Sequence, residues 1–133
     1  MPGRRLQYRV EDGILVLTAA ASPSHADHPA SFDQIRADRQ VPDRSLVLID
    51  TRSIDVRAGL EGERRLSGLL KGVLPGLGPK MGPRCAIVTS GANPIALRLF
   101  QASAKQRGVV VGFFHDPTAA RLWLSPETGY MFD

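Results

Sequence analysis

Short apolar runs, Leu46-Val47-Leu48-Ile49, Cys85-Ala86-Ile87-Val88 and residues 109–114, alternate with stretches of helical apolar spacing, and this alternation constrains the fold more than any other feature. A run that is apolar at every position reads as a strand covered on both faces, the habit of parallel strands flanked by helices. Successive β-to-α units require right-handed crossovers. The pattern therefore predicts an α/β fold with a mostly parallel sheet of about five strands and about four helices.

Leu6, Tyr8 and Val10 alternate with polar residues, Asp12-Gly13 supplies a turn, and residues 14–18 form a second β-rich run, so an antiparallel hairpin opens the domain. Only the first strand is expected to run against the rest. Residues 19–28 are small, polar and broken by Pro23; Pro29 then starts a short helix, with Phe32 and Ile35 on one face, ending near Arg39. After the break at Pro42-Asp43, residues 45–50 read as a buried strand. From Leu60 onward, Leu66, Leu69, Leu70, Val73 and Leu74 recur at helical spacing, with Glu61 and Arg65 an i,i+4 pair outside. The Gly- and Pro-rich stretch 75–83 predicts a loop, followed by a strand over 84–89. Asn93 is an expected helix N-cap with Pro94 in the first turn, Ala96, Leu99 and Phe100 as the apolar stripe, and a stop at Gly108. The strand 109–114 follows, and Asp116-Pro117 repeats the cap-plus-proline signal before Ala120, Trp123 and Leu124. A single domain with its core over residues 6–124 and a tail at 125–133 is expected, without internal repeats.

The chain has 133 residues, enough to bury roughly two-thirds of its unfolded surface in one core without metals or disulfides. Its net charge of +4 would attract nucleic acid, anionic lipid or an acidic protein. The basic residues are dispersed in sequence, however, at Arg4-Arg5, Arg64-Arg65 and between Arg98 and Arg107, without interleaved aromatics, so nucleic-acid binding is not predicted. Cys85, the only cysteine, sits in an apolar run and reads as a buried small hydrophobe. The N-terminal stretch lacks the apolar segment of a signal peptide, and no run approaches the roughly 20 residues of a membrane-spanning helix. A soluble, cytoplasmic protein is the expectation.

The order hairpin, helix, strand, helix, strand, helix, strand, helix resembles the STAS fold of anti-sigma-factor antagonists, and more closely the SpoIIAA-like family of small bacterial STAS/Sec14-type domains. The resemblance spans roughly residues 6–124. It is carried by Leu46-Val47-Leu48-Ile49-Asp50, the Ser53-Ile54-Asp55 step before the long helix, Ala86-Ile87-Val88, and the ending Thr118-Ala119-Ala120-Arg121-Leu122-Trp123-Leu124. It implies a non-catalytic regulatory or protein-interaction module without cofactors, engaging a protein partner or a second copy of itself. In the antagonists it also implies a phosphorylatable serine within an Asp-Ser-Ser-Gly step. The matching stretch here, Asp55-Val56-Arg57-Ala58-Gly59, keeps a carboxylate and a glycine but has no hydroxyl. Arginine there reverses the charge logic, because phosphorylation adds about two negative charges. The Sec14 side of the resemblance implies a small apolar or lipid-like ligand.

In successive parallel βα units the carboxyl ends of the strands emerge together, which gathers the loops 20–28, 51–59, 89–93 and 115–117. Thr89-Ser90-Gly91-Ala92-Asn93 is the expected anion contact, since a helix N-terminus presents unpaired N–H groups, with Arg52 and Arg57 adding charge. Asp55 stands near Asp50 as a second carboxylate, and His115 is an acid/base candidate in a small-ligand alternative. The candidate binding residues are thus Arg52, Asp55, Arg57, Thr89, Ser90, Asn93 and His115. The plain alternative is a helix cap and a turn. His25, Asp27 and His28 share a loop, but their spacing does not define a metal frame, and no metal site is predicted. No Gly-x-Ser-x-Gly step occurs, so no catalytic residue is assigned. The 75–83 loop, with Leu77, Lys80 and Met81, is a candidate lid over an apolar cavity or a plain surface excursion. If the helices mainly cover one sheet face, the other needs cover, for which a homodimer is the expected source.

Overall fold

Asp12 (φ 52°) and Gly13 (φ 79°) both occupy the left-handed region, the two-residue turn whose twist matches a hairpin. They join β1 (Gln7–Glu11) to β2 (Ile14–Thr18). The computed structural model describes residues 7–19, 27–54, 60–90 and 94–125. Beyond the hairpin come α1 (Asp27–Ala37), β3 (Ser45–Asp50), α2 (Leu60–Leu77), β4 (Met81–Val88), α3 (Pro94–Gln106), β5 (Val110–Phe114) and α4 (Pro117–Leu124). The five strands lie in the order β1-β2-β3-β4-β5, the first pair antiparallel and the others parallel. This is the α/β sheet that the alternation of runs predicts.

Right-handed crossovers between strands laid down in sequence order place α1, α2 and α3 on one face. Leu15, Leu17, Val47, Ile49, Cys85, Ile87 and Val111 of the sheet pack there against Phe32 and Ile35 of α1, the leucines of α2, and Leu97, Phe100 and Ala104 of α3. The period of two sends the alternate residues, Ile14, Val16, Leu48, Ala86 and Val88, to the opposite face, where Ala120 and Leu124 of α4 meet them. The Asp116 carboxylate accepts the Thr118 N–H at 3.1 Å, and Pro117 opens α4, as the cap-plus-proline signal predicts. Those five sheet residues are all buried within one chain. The face expected to need a homodimer therefore does not call for a second copy.

Residues 75–83 depart from the expected loop. α2 runs through Pro75 to Leu77, a 3-10 turn occupies Gly78–Lys80, and β4 begins at Met81. A proline inside a helix costs about 3 kcal/mol. Here the apolar stripe continues past it, with Leu74 and Leu77 both buried, and their burial offsets the lost backbone bond. Pro83 is tolerated in a central strand because the β3–β4 register shifts between Ser45 and Val47, and pairing with β5 starts only at Arg84. Gly82 is required beside it, since a Cβ there would lie 2.3 Å from the Ser45 carbonyl oxygen. The segment is no lid: Leu77 is fully buried, and the Lys80 ammonium donates to the carbonyls of Val41 (2.6 Å) and Asp38 (3.2 Å).

The inward stripe of α3 also differs. Leu97, Phe100 and Ala104 face the sheet, whereas Leu99 is 61% exposed. Two apolar stripes run along this helix and only one can meet the sheet.

Candidate functional site

The sheet ladder extends one residue past three strands: Ala19 N–H donates to Asp50 O (3.0 Å), Thr51 N–H to Val88 O (2.8 Å), and Thr89 N–H to Phe114 O (2.9 Å). These bonds bring the carboxyl ends of β2, β3, β4 and β5 to one rim. Of the predicted residues, Arg52, Thr89, Ser90 and His115 meet there; Asp55, Arg57 and Asn93 lie outside the described residues.

The side chains of the rim largely bond one another or the backbone. Thr51 Oγ1 donates to Val88 O (2.9 Å), the Ser53 hydroxyl to Ala19 O, and the Ser90 hydroxyl to Arg52 O at 3.4 Å. His115 Nδ1 lies 3.1 Å from Thr89 O. Arg52 spends two of its three guanidinium nitrogens on Asp50, with Nε 3.0 Å from Oδ1 and Nη2 2.8 Å from Oδ2, and its backbone N–H adds 3.0 Å to Oδ1. Burial acts to raise the Asp50 carboxyl. The hydrogen bonds from Arg52 and the charges of Arg52 and Arg9 outweigh it and hold the group below the usual carboxylate range. Asp50 is thus an ionised partner of Arg52, while its pairing with Asp55 falls on residues outside those described. The arrangement ties strand ends together.

Elsewhere, Cys85 is fully buried, and burial pushes its thiol far above the ordinary value, away from the thiolate that nucleophilic chemistry needs. Among the described residues no three of His, Cys, Asp and Glu gather as metal ligands. The loop holding His25 lies outside the described residues, as do the side chains of Asp27 and His28. No helix among the described residues is long and apolar enough to cross a membrane.

A different surface stands out on the helical layer. Between α2 and α3 a half-open cleft of about 250 Å³ has Leu70, Leu74 and Phe100 as its floor and Pro75 and Leu99 as its walls. Ser67 and Ser103 add hydroxyls, and Lys71 and Arg107 supply the only charges of its lining among the described residues. Ile95, 72% exposed, lies one turn back from Leu99 on the same side of α3 and prolongs the apolar strip. Helical periodicity alone assigns Leu99 to the core and so misses this cleft. Two signals mark it in the sequence: α3 carries more apolar residues than one stripe can bury, and every Asp, Glu, Lys or Arg from Arg64 to His115 is basic.

No protein-family model matches the chain, and neither a curated protein nor a solved structure matches it.

Proposed function

We propose that this chain is a non-catalytic, cytoplasmic protein-interaction module of STAS-like organisation, and that the α2–α3 cleft is where it meets its partner. The order of its elements supports the STAS-like part. The observation that carries the interaction reading is the cleft itself, an apolar trough on the outer helical layer with Leu99 61% exposed at its wall. Leu70, Leu74 and Phe100 beneath it are buried, but Leu99 and the neighbouring Ile95 stand largely in water, and exposed apolar side chains beside an apolar trough mark a surface that gains by being covered.

Size favours a polypeptide over a small molecule. Pockets for small ligands run roughly 300–1,000 Å³ and enclose most of the ligand. The cleft, at about 250 Å³ and open on its outer side, encloses less than that. Its shape suits a row of side chains from a docked helix, the groove-binding mode in which apolar anchors recur at i, i+3, i+4 and i+7.

Site-specific photo-crosslinking in the cells of origin tests the reading. A benzophenone amino acid in place of Leu99 is expected to capture a polypeptide, another protein or a second copy, that the same probe at exposed Gln34 on α1 does not. Equal capture at both positions, or none at position 99, would overturn it.

A further inference from the structure

We infer that the partner segment is an acidic amphipathic helix, which lays its apolar face on Leu70, Leu74, Leu99 and Phe100 and turns carboxylates toward Lys71 and Arg107. The inference rests on the interaction reading of the same cleft and adds the chemistry of the partner.

Charge is what selects it. Neither Lys71 nor Arg107 has an ion-pair partner among the described residues, and Arg98, exposed on the next turn of α3 beyond Ile95, has none either. The helix dipole accounts for part of this pattern, because cations near a helix C-terminus are stabilised, and Lys105 and Arg107 lie there. It does not account for Lys71, six residues before the end of α2, nor for Arg98, five residues into α3, both outside the last turn, where the dipole favours a cation. With no carboxylate from Arg64 to His115, the two helices flanking the cleft from that point on offer docked segments a wholly positive border. Such a border speeds encounter with an acidic segment and repels a basic one.

Exposed ion pairs contribute little each, so the exposed side chains of Leu99 and Ile95 are expected to supply most of the affinity and the border to set the preference. This division of labour makes the two parts separable by mutation. Leu99→Glu disrupts the apolar contact, while Lys71→Glu with Arg107→Glu reverses the border at exposed positions without touching the core.

The test uses a displayed library of helical peptides with leucine fixed at i, i+3, i+4 and i+7 and Glu or Lys randomised at the flanking positions, selected on the full chain. Selection is expected to enrich Glu on the flanks, and the enriched peptides are expected to bind the double-reversal variant about tenfold more weakly. Their binding should weaken with added salt, and their NMR footprint should cover residues 67–75 and 99–107. An unchanged melting curve of the variant shows that the fold is intact.

Enrichment of Lys, or of neither residue, overturns the inference. If the selected peptides lose binding to Leu99→Glu but bind the double-reversal variant as well as the parent chain, docking at the cleft stands and the acidic partner falls. If no peptide binds at the cleft, both fall. Binding to vesicles of phosphatidylglycerol that requires Lys71 and Arg107, with no Glu-enriched peptide competing, would assign the border to a lipid surface and also overturn it.

Discussion

Arg52 folds back on Asp50 so that one guanidinium grips both carboxylate oxygens, at 3.0 and 2.8 Å, and the pair closes the end of β3. The native Asp50 carboxyl lies below its unfolded value of 3.8. A depressed carboxyl contributes stability that is present above the unfolded value and is lost as pH falls through the folded one. NMR titration of the Asp50 Cγ is expected to give a midpoint below 3.8, and Arg52→Gln to move it upward. The stability difference between that variant and the parent chain should then be largest at neutral pH, where Asp50 is ionised and the partly exposed pair is worth at most about 1 kcal/mol, and should shrink as pH falls below about 4 and Asp50 protonates in both. A midpoint indifferent to the substitution would show that the fork does not persist in solution.

The notch at Gly76 receives Phe32 of α1. A Cβ there would stand 2.5 Å from the ring Cγ and 2.6 Å from Cδ2. Gly76→Ala is expected to destabilise the chain by about 1–3 kcal/mol through overpacking, despite the better helix propensity of alanine. In a Phe32→Leu background the same change should cost distinctly less. Urea unfolding of the four-member cycle measures that coupling, and strict additivity would contradict it.

Cys85 sits at 0% exposure with its thiol pushed well up by burial. The folded chain is expected to resist a thiol reagent at pH 8, and labelling should rise only with denaturant, following the opening of the sheet. Prompt stoichiometric labelling of native protein would show that β4 is far more accessible than the packing requires.

Asp116 caps α4, whose Ala120 and Leu124 cover the second sheet face. Asp116→Ala should cost about 1 kcal/mol, while Asp116→Asn, which keeps the accepting oxygen, should cost much less. Thermal melting of the two variants separates the cap from any other role of the side chain.

The strands were legible where burial on both faces left no choice of residue, as at residues 45–50, and the hairpin turn where Asp12-Gly13 demanded positive φ. Residues 75–83 were not, because proline and glycine are local signals. The burial of Leu77, and the register break opposite Pro83, are decided by parts of the chain far away in sequence. The gathering of Arg52, Thr89, Ser90 and His115 at one rim followed from parallel topology alone. That Arg52 grips Asp50, and that the Ser90 hydroxyl reaches a backbone carbonyl, depends on atomic positions that no spacing rule encodes. Leu99 escaped for a related reason: periodicity finds a stripe on α3 but does not say which of two stripes the sheet takes.

Because neighbours in the sheet are also neighbours along the chain, each strand after the hairpin joins a standing edge and none has to be wedged between two others. A chain emerging during synthesis can therefore lay down this layer in the order in which it is made. The last helix is the exception in its effect. Until residues 117–124 leave the ribosome, Ile14, Val16, Leu48, Ala86 and Val88 have no α4 to lie against, and a nascent chain stalled before that point would present a sticky sheet to its surroundings.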